Sequence, residues 1–179
     1  PEKDAKNADG ADAWQDWEPS TPAQRKQVAE LFVADVNQLF DTVNDPNFAE
    51  EQQLTIDSVS NGAISLLEEV ATTKVTGEED WWSHTDLYDF AANIQGSRIA
   101  FDLVAPIAAD RGENGAKLVQ DINDRYDDVE ELLKEYGSLE TGFVSYDTVD
   151  AAAQAELTRA LDALREPLSQ LTGTVLGLG

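Results

Sequence analysis

Apolar residues recur along this chain at spacings of three and four, the pattern of helices that bury one face. Val28, Leu31, Phe32, Val36, Leu39 and Val43 form the first stripe. Thr21 is placed to cap that helix, Pro22 suits its first position, and it should end near Asn44, before Asp45-Pro46. A second helix follows Thr55, with Ile56, Val59, Ala63, Ile64, Leu67 and Val70 as its stripe and Gly77 closing the segment. A third starts around Ser83–Thr85 and carries Leu87, Phe90, Ile94, Phe101 and Val104 inward. Pro106 should kink or end it. The fourth runs from about Asn114 to Tyr136 on Leu118, Ile122, Tyr126, Val129, Leu132 and Leu133, with Gly137 as C-cap. Gly142 to Tyr146 reads as a short extended link. The fifth begins near Thr148 with Leu157, Leu161, Leu164, Leu168, Leu171 and Val175, kinked at Pro167.

These segments and their short connections predict an all-α fold, an antiparallel helical bundle of four to five helices over residues 21–179. Residues 1–20 are polar, without helical period, and read as an N-terminal arm or strap in which Trp14 and Trp17 hold onto something apolar. The tail from Leu176 to Gly179 should fray.

Composition narrows the function. Thirty-six acidic residues face 12 basic ones, for a net charge of -24 and a pI near 4.1. Such a surface repels phosphate backbones, which excludes nucleic acid, and attracts cations and basic partners. It serves solubility equally well. There is no cysteine, so disulfides, thiolate metal sites, Fe–S clusters and cysteine nucleophiles are excluded. Methionine is also absent, which suits a protein handling redox-active iron. No apolar run reaches the roughly 20 residues of a membrane span. The first residue is Pro1, from which a processed product or a fragment is expected.

The densest polar cluster runs from Gly77 to Phe90 and holds the only histidine, His84. With a helix starting at Ser83, Asp86 and Asp89 share a face, and Asn93 lies one turn further on. His84 sits at the helix entrance. Glu68 and Glu69, near the end of the preceding helix, are close enough in sequence for one of them to reach the same region, and Glu69 completes the candidate set His84, Asp86, Asp89 and Glu69. One imidazole with two or three carboxylates suits iron, manganese or zinc. The same residues also read as ordinary helix chemistry: Ser83 or Thr85 as N-cap, Asp86 favoured by the helix dipole, and Trp81 and Trp82 covering the bundle end. Tyr136 and Tyr146 flank the extended link. Tyrosinate can bind ferric iron, but two rings covering the link, with their hydroxyls in water, is the better reading. Enzyme templates are missing: no H-E-x-x-H, no G-x-S-x-G, no phosphate-binding loop.

Long ordered runs add a resemblance. Asn61 to Ala71, Lys74 to Asp80 and Ser83 to Gly96 resemble the EfeO/EfeM branch of the imelysin-like family, as do Gly142 to Asp147 and Glu166 to Ser169. The resemblance spans roughly residues 12–176 and corresponds to the family's C-terminal half. It implies two helical bundles side by side with a metal site between or near them. It implies an exported, often lipid-anchored, iron-binding component (Fe2+ or Fe3+, with zinc or copper as alternatives). The partners it implies are an EfeU-type permease, an EfeB-type haem peroxidase, and an N-terminal half bearing a His-x-x-Glu motif that this chain lacks. The family classification carries a peptidase name, but the residues support no proteolysis, so a non-enzymatic binding role is expected. An acidic interaction module and, behind it, a metallopeptidase are the alternative readings.

Overall fold

A computed structural model describes residues 20–77 and 79–178, together with Lys6 and Gly10. The expected arm, with Trp14 and Trp17, lies almost wholly outside the described residues. The chain divides into two compact units, residues 1–54 and 55–179.

In the first unit, α1 (Pro22–Val43) begins as its sequence predicts. The Thr21 hydroxyl accepts from the Gln24 amide at 3.3 Å, and the Gln24 side chain accepts from the Thr21 amide at 2.8 Å, closing a capping box. The apolar stripe is present, but no residue of α1 is buried. A short helix not foreseen from the sequence, α2 (Phe48–Glu51), follows the turn at Asp45, whose carboxylate accepts from the Asn47 amide at 2.8 Å.

The second unit holds α3 (Ile56–Glu69), a π-helical turn (Val70–Lys74), α4 (Asp86–Ala109), α5 (Glu113–Lys134), the strands β1 (Gly137–Ser138) and β2 (Gly142–Phe143), a 3₁₀ turn (Tyr146–Thr148), α6 (Ala151–Leu168) and α7 (Leu171–Leu176). α3 packs on α4, α4 on α5 and α5 on α6, while α7 returns to α3 and α4. The all-α expectation holds. The core is a single cluster of buried apolar side chains running from Ala63 to Val175, with Phe90, Phe101 and Tyr126 the largest. Each such aromatic or leucine contributes about 1.5–3 kcal/mol relative to an exposed position. Gly115 lets α5 start against the end of α4: a Cβ there would lie 2.0 Å from the Ala108 carbonyl oxygen.

Several boundaries move. Pro106 lies inside α4 without ending it, because only one turn remains before Ala109 and few hydrogen bonds are at stake. α6 starts at Ala151 rather than near Thr148, since Asp150 is the stronger cap and accepts from the amides of Ala152 and Ala153 at 3.0 and 2.9 Å. The expected kink at Pro167 is a break, with α7 starting afresh at Leu171. The extended link closes into an antiparallel ladder, Gly137 opposite Phe143 and Ser138 opposite Gly142.

Candidate metal centre

The polar cluster is built where α3 hands over to α4. α3 does not stop at Glu69 but widens into a π-helical turn, in which the Val75 amide reaches back five residues to the Val70 carbonyl at 3.0 Å. Lys74 closes this turn four residues beyond Val70 and seven beyond Leu67, on the buried face of the helix, and its side chain is only 4% exposed. Its ammonium lies 3.3 Å from the Glu69 carboxylate and is also paired with Glu79. Burial works to lower the Lys74 pKa, but hydrogen bonds to Glu79 and Glu69 outweigh it and the value is raised. Those contacts, Lys74 first and the Thr73 hydroxyl at 2.8 Å second, hold the Glu79 carboxyl below its ordinary value. The other Glu69 oxygen accepts from the Asn93 amide group at 3.2 Å, which ties α3 to α4.

The loop from Val75 to Thr85 folds back over the mouth of α4. Gly77 makes this possible with a left-handed φ of +71°, and a Cβ there would fall 2.5 Å from the Tyr146 ring. Tyr146 straps the loop from outside: its hydroxyl donates to the Val75 carbonyl, and its amide donates to the His84 carbonyl at 2.9 Å. Burial first, and the Asp86 charge second, push its phenol up to about 12. The expectation that the Tyr146 hydroxyl sits in water is therefore corrected: it is buried and committed to the backbone.

Asp86, the first residue of α4, is wholly buried. Its Oδ1 accepts from the Asp80 amide at 3.1 Å, whereas its Oδ2 has no hydrogen-bond partner. The Asp80 carboxylate accepts from the Thr85 hydroxyl, which contacts Ser83 Oγ at 2.9 Å. One turn into the helix, Asp89 is half-buried. Burial, then the charge of Asp80 and a hydrogen bond shared with it, raise the Asp89 pKa, against a smaller opposing pull from Lys74.

Of the four residues singled out from the sequence, the structure brings three into this network. Asp86 and Asp89 join Asp80 at the mouth of α4, and Glu69 joins through Lys74 and Asn93. His84 is exposed, with a left-handed φ of +54°, and enters only through its backbone. Among the described residues, no three histidine or acidic side chains converge closely enough to hold a metal ion by themselves. Sequence reasoning missed Lys74, the single cation in the cluster, along with Glu79 and Asp80. The available signal was the stripe itself, since Lys74 lies four residues beyond Val70 and seven beyond Leu67 on the same helical face. Chemically, several carboxyl groups surround one ammonium, and one buried carboxylate oxygen is left without a donor.

The comparisons with known proteins bear on this cluster. The family model described as Imelysin matches residues 4–171. A protein of Staphylococcus aureus (strain MW2) named "Efem/EfeO family lipoprotein" is 40% identical over 123 residues, covering 69% of this chain and 42% of that protein. A relative of the same name from strain MRSA252 is 35% identical over 147 residues, covering 82% and 51%. The chain spans about half the length of the curated relatives it matches. The match takes in both helices of the polar cluster and nearly the whole chain, and on that basis the chain belongs to the imelysin family.

Proposed function

We propose that this chain is part of an extracytoplasmic metal-binding component of an iron-uptake system, with the cation held at the mouth of α4. The observation that carries this reading is the buried Asp86 Oδ2 without a partner, set among carboxylates that a single lysine does not neutralise. A buried, unpaired carboxylate oxygen is costly, and a cation satisfies it where no protein donor does. Asp86 and Asp89 offer hard oxygen donors, Glu69 can exchange its ion pair with Lys74 for a metal, and His84 can supply a nitrogen on rotation of its loop. That set takes iron readily, with zinc and copper as competitors. Cargo of this kind is bound and passed on, so a non-enzymatic role fits better than a peptidase. The relatives' lipoprotein name supports a binding step outside the cytoplasm, and an EfeU-type permease and an EfeB-type haem peroxidase are the expected partners.

Calorimetric titration with Fe(II), Fe(III), Zn(II) and Cu(II) tests it, comparing the parent chain with Asp86→Asn, Asp89→Asn, Glu69→Gln and His84→Ala. Asp86→Asn should weaken iron binding about ten-fold or more, equivalent to about 1.4 kcal/mol. Equal iron affinity in the parent and all four variants would remove these residues as ligands.

A further inference from the structure

We propose, on the reading that the carboxylates at the mouth of α4 take a metal ion, that Lys74 is a resident competitor for that ion. Its ammonium and the cargo exclude one another, and their exchange sets the affinity and restores the metal-free state on release. The position of Lys74 is the first observation. It lies on the core face of its helix, four residues beyond Val70 and seven beyond Leu67, both fully buried. An apolar side chain is the ordinary choice there. Lysine is almost never buried unless it is paired, and this one is nearly fully buried.

Second, the partners of Lys74 are held without it. Its Nζ lies 3.3 Å from one Glu69 oxygen and pairs with Glu79 from the following loop. The other Glu69 oxygen accepts from the Asn93 amide group at 3.2 Å, and the Glu79 carboxylate accepts from the Thr73 hydroxyl at 2.8 Å. Asn93 is itself anchored, since the same amide group donates to the Leu66 carbonyl at 3.3 Å. These neutral donors aim two carboxylates, one from the end of α3 and one from the loop, at a single point whether or not the ammonium is there. A point between two carboxylates from separate segments is the position of a cation, and the ammonium fills it.

Third, exposure gives the exchange a direction. The Glu69 and Glu79 side chains are 51% and 38% exposed, so an arriving ion meets the carboxylates from the solvent side, with the ammonium beneath them. Once a metal ion takes those oxygens, a lysine left inside is an unpaired buried charge, which is costly. Its flexible four-carbon stem lets the charged head swing out to water. When the ion leaves, the ammonium returns, and the empty site does not hold two bare carboxylates. Asp80 and Asp89, which share a hydrogen bond alongside, keep the negative charge that first draws the ion in. A carrier that hands its cargo on needs such reversible loading. Without the lysine the same carboxylates would hold the ion more tightly and release it more slowly.

Two measurements on the 179-residue chain test this. In the unmodified protein, acetylation of each lysine by an N-hydroxysuccinimide ester is followed by peptide mass spectrometry, with and without saturating Zn(II). Lys74 should react slowly in the metal-free chain and about ten-fold faster with zinc bound, as its amine reaches water. Lys117, exposed on α5, should keep its rate. Calorimetry with Zn(II) and anaerobic Fe(II) then compares the parent with Lys74→Met, which keeps the stem and removes the charge. Affinity should rise about ten-fold or more, because a like charge a few ångströms from the ion is gone. Lys117→Met should change it by no more than about two-fold. Circular dichroism checks the fold of Lys74→Met, and the labelling arm needs no variant. A lysine that only packs, or only holds the loop, predicts unchanged labelling and equal or weaker binding in Lys74→Met. Either result in a chain that binds metal overturns the competitor role and leaves the metal site standing. No binding of either ion, in parent and Lys74→Met alike, removes the metal site and the role of Lys74 with it.

Discussion

Ser97 and Asp86 lie on the same helix, eleven residues and about three turns apart, so they share one face of α4. Both are fully buried. Their surroundings differ. The Ser97 hydroxyl donates to the Ala63 carbonyl at 2.6 Å and therefore accepts from the Tyr126 hydroxyl at 2.7 Å. Every polar atom at that node has a partner, and burial raises the Tyr126 pKa well above the tyrosine range, so the phenol stays a donor. Asp86 has one oxygen paired and one not. A satisfied polar node in a core fixes which helices face each other, whereas an unsatisfied one works against stability. One helix face thus carries a stabilising node at mid-length and, at its mouth, a group that the fold alone does not complete.

The strongest way to test that contrast is to remove the partnered group. Ser97→Ala leaves the buried Tyr126 hydroxyl without its partner and removes the serine's bond to the Ala63 carbonyl. The expected loss is about 2–3 kcal/mol, seen as a lower urea midpoint with unchanged slope. Asp86→Asn should behave in the opposite manner. The amide keeps the acceptor for the Asp80 N–H and discards a buried charge, so metal-free stability should stay within about 1 kcal/mol of the parent. Its effect should fall on iron affinity instead. If Asp86→Asn destabilised the chain as much as Ser97→Ala and left iron binding alone, the two positions would be alike and the contrast would disappear.

Tyr126→Phe sharpens the stable side. Ser97 keeps its bond to Ala63, and the ring keeps its packing against Phe101, with centroids 5.6 Å apart. Only one hydrogen bond is lost, so a cost of about 1 kcal/mol is expected, smaller than for Ser97→Ala. Equal costs would mean that the serine contributes nothing beyond its link to tyrosine.

The same contrast explains what could be read from the residues in advance. Leu67, Phe90, Phe101, Ile122, Leu157 and Leu164 recur at helical spacing and are all buried, because period and burial are consequences of one geometry. The acids at the mouth of α4 were also legible, since Asp86 and Asp89 are fixed by a helix start. The π-helical turn was not. It has no sequence period of its own, although Lys74, four residues beyond Val70, stays on the face that the stripe marks. His84 was misleading for a related reason. Its ring stands next to the acids in sequence, but the loop takes a left-handed turn there and hands its carbonyl, not its imidazole, to the structure. The Tyr146 strap depends on a contact between residues 75 and 146, far beyond any local pattern.

The smallest expected effect concerns protonation at the mouth of α4. Asp89 holds its proton more tightly folded than unfolded, through burial and then the charge of Asp80. Between the ordinary carboxylate value and the raised one, the native state binds more protons than the unfolded state, so the Asp89 contribution to stability falls as pH rises through that window. Glu79 runs the other way. Lys74 and Thr73 lower its pKa, so its contribution is present above the ordinary value and is lost as pH falls through the lowered one. Asp89→Asn fixes the uncharged form. The variant should therefore be more stable than the parent at about pH 7, with the gain shrinking as pH falls through the raised Asp89 value and the parent carboxyl takes up its proton. Thermal midpoints across that range at constant ionic strength give the answer. A gain independent of pH would assign the effect to the new amide contacts, and a loss near neutrality would mean that the Asp89 charge is held by a cation rather than opposed by Asp80.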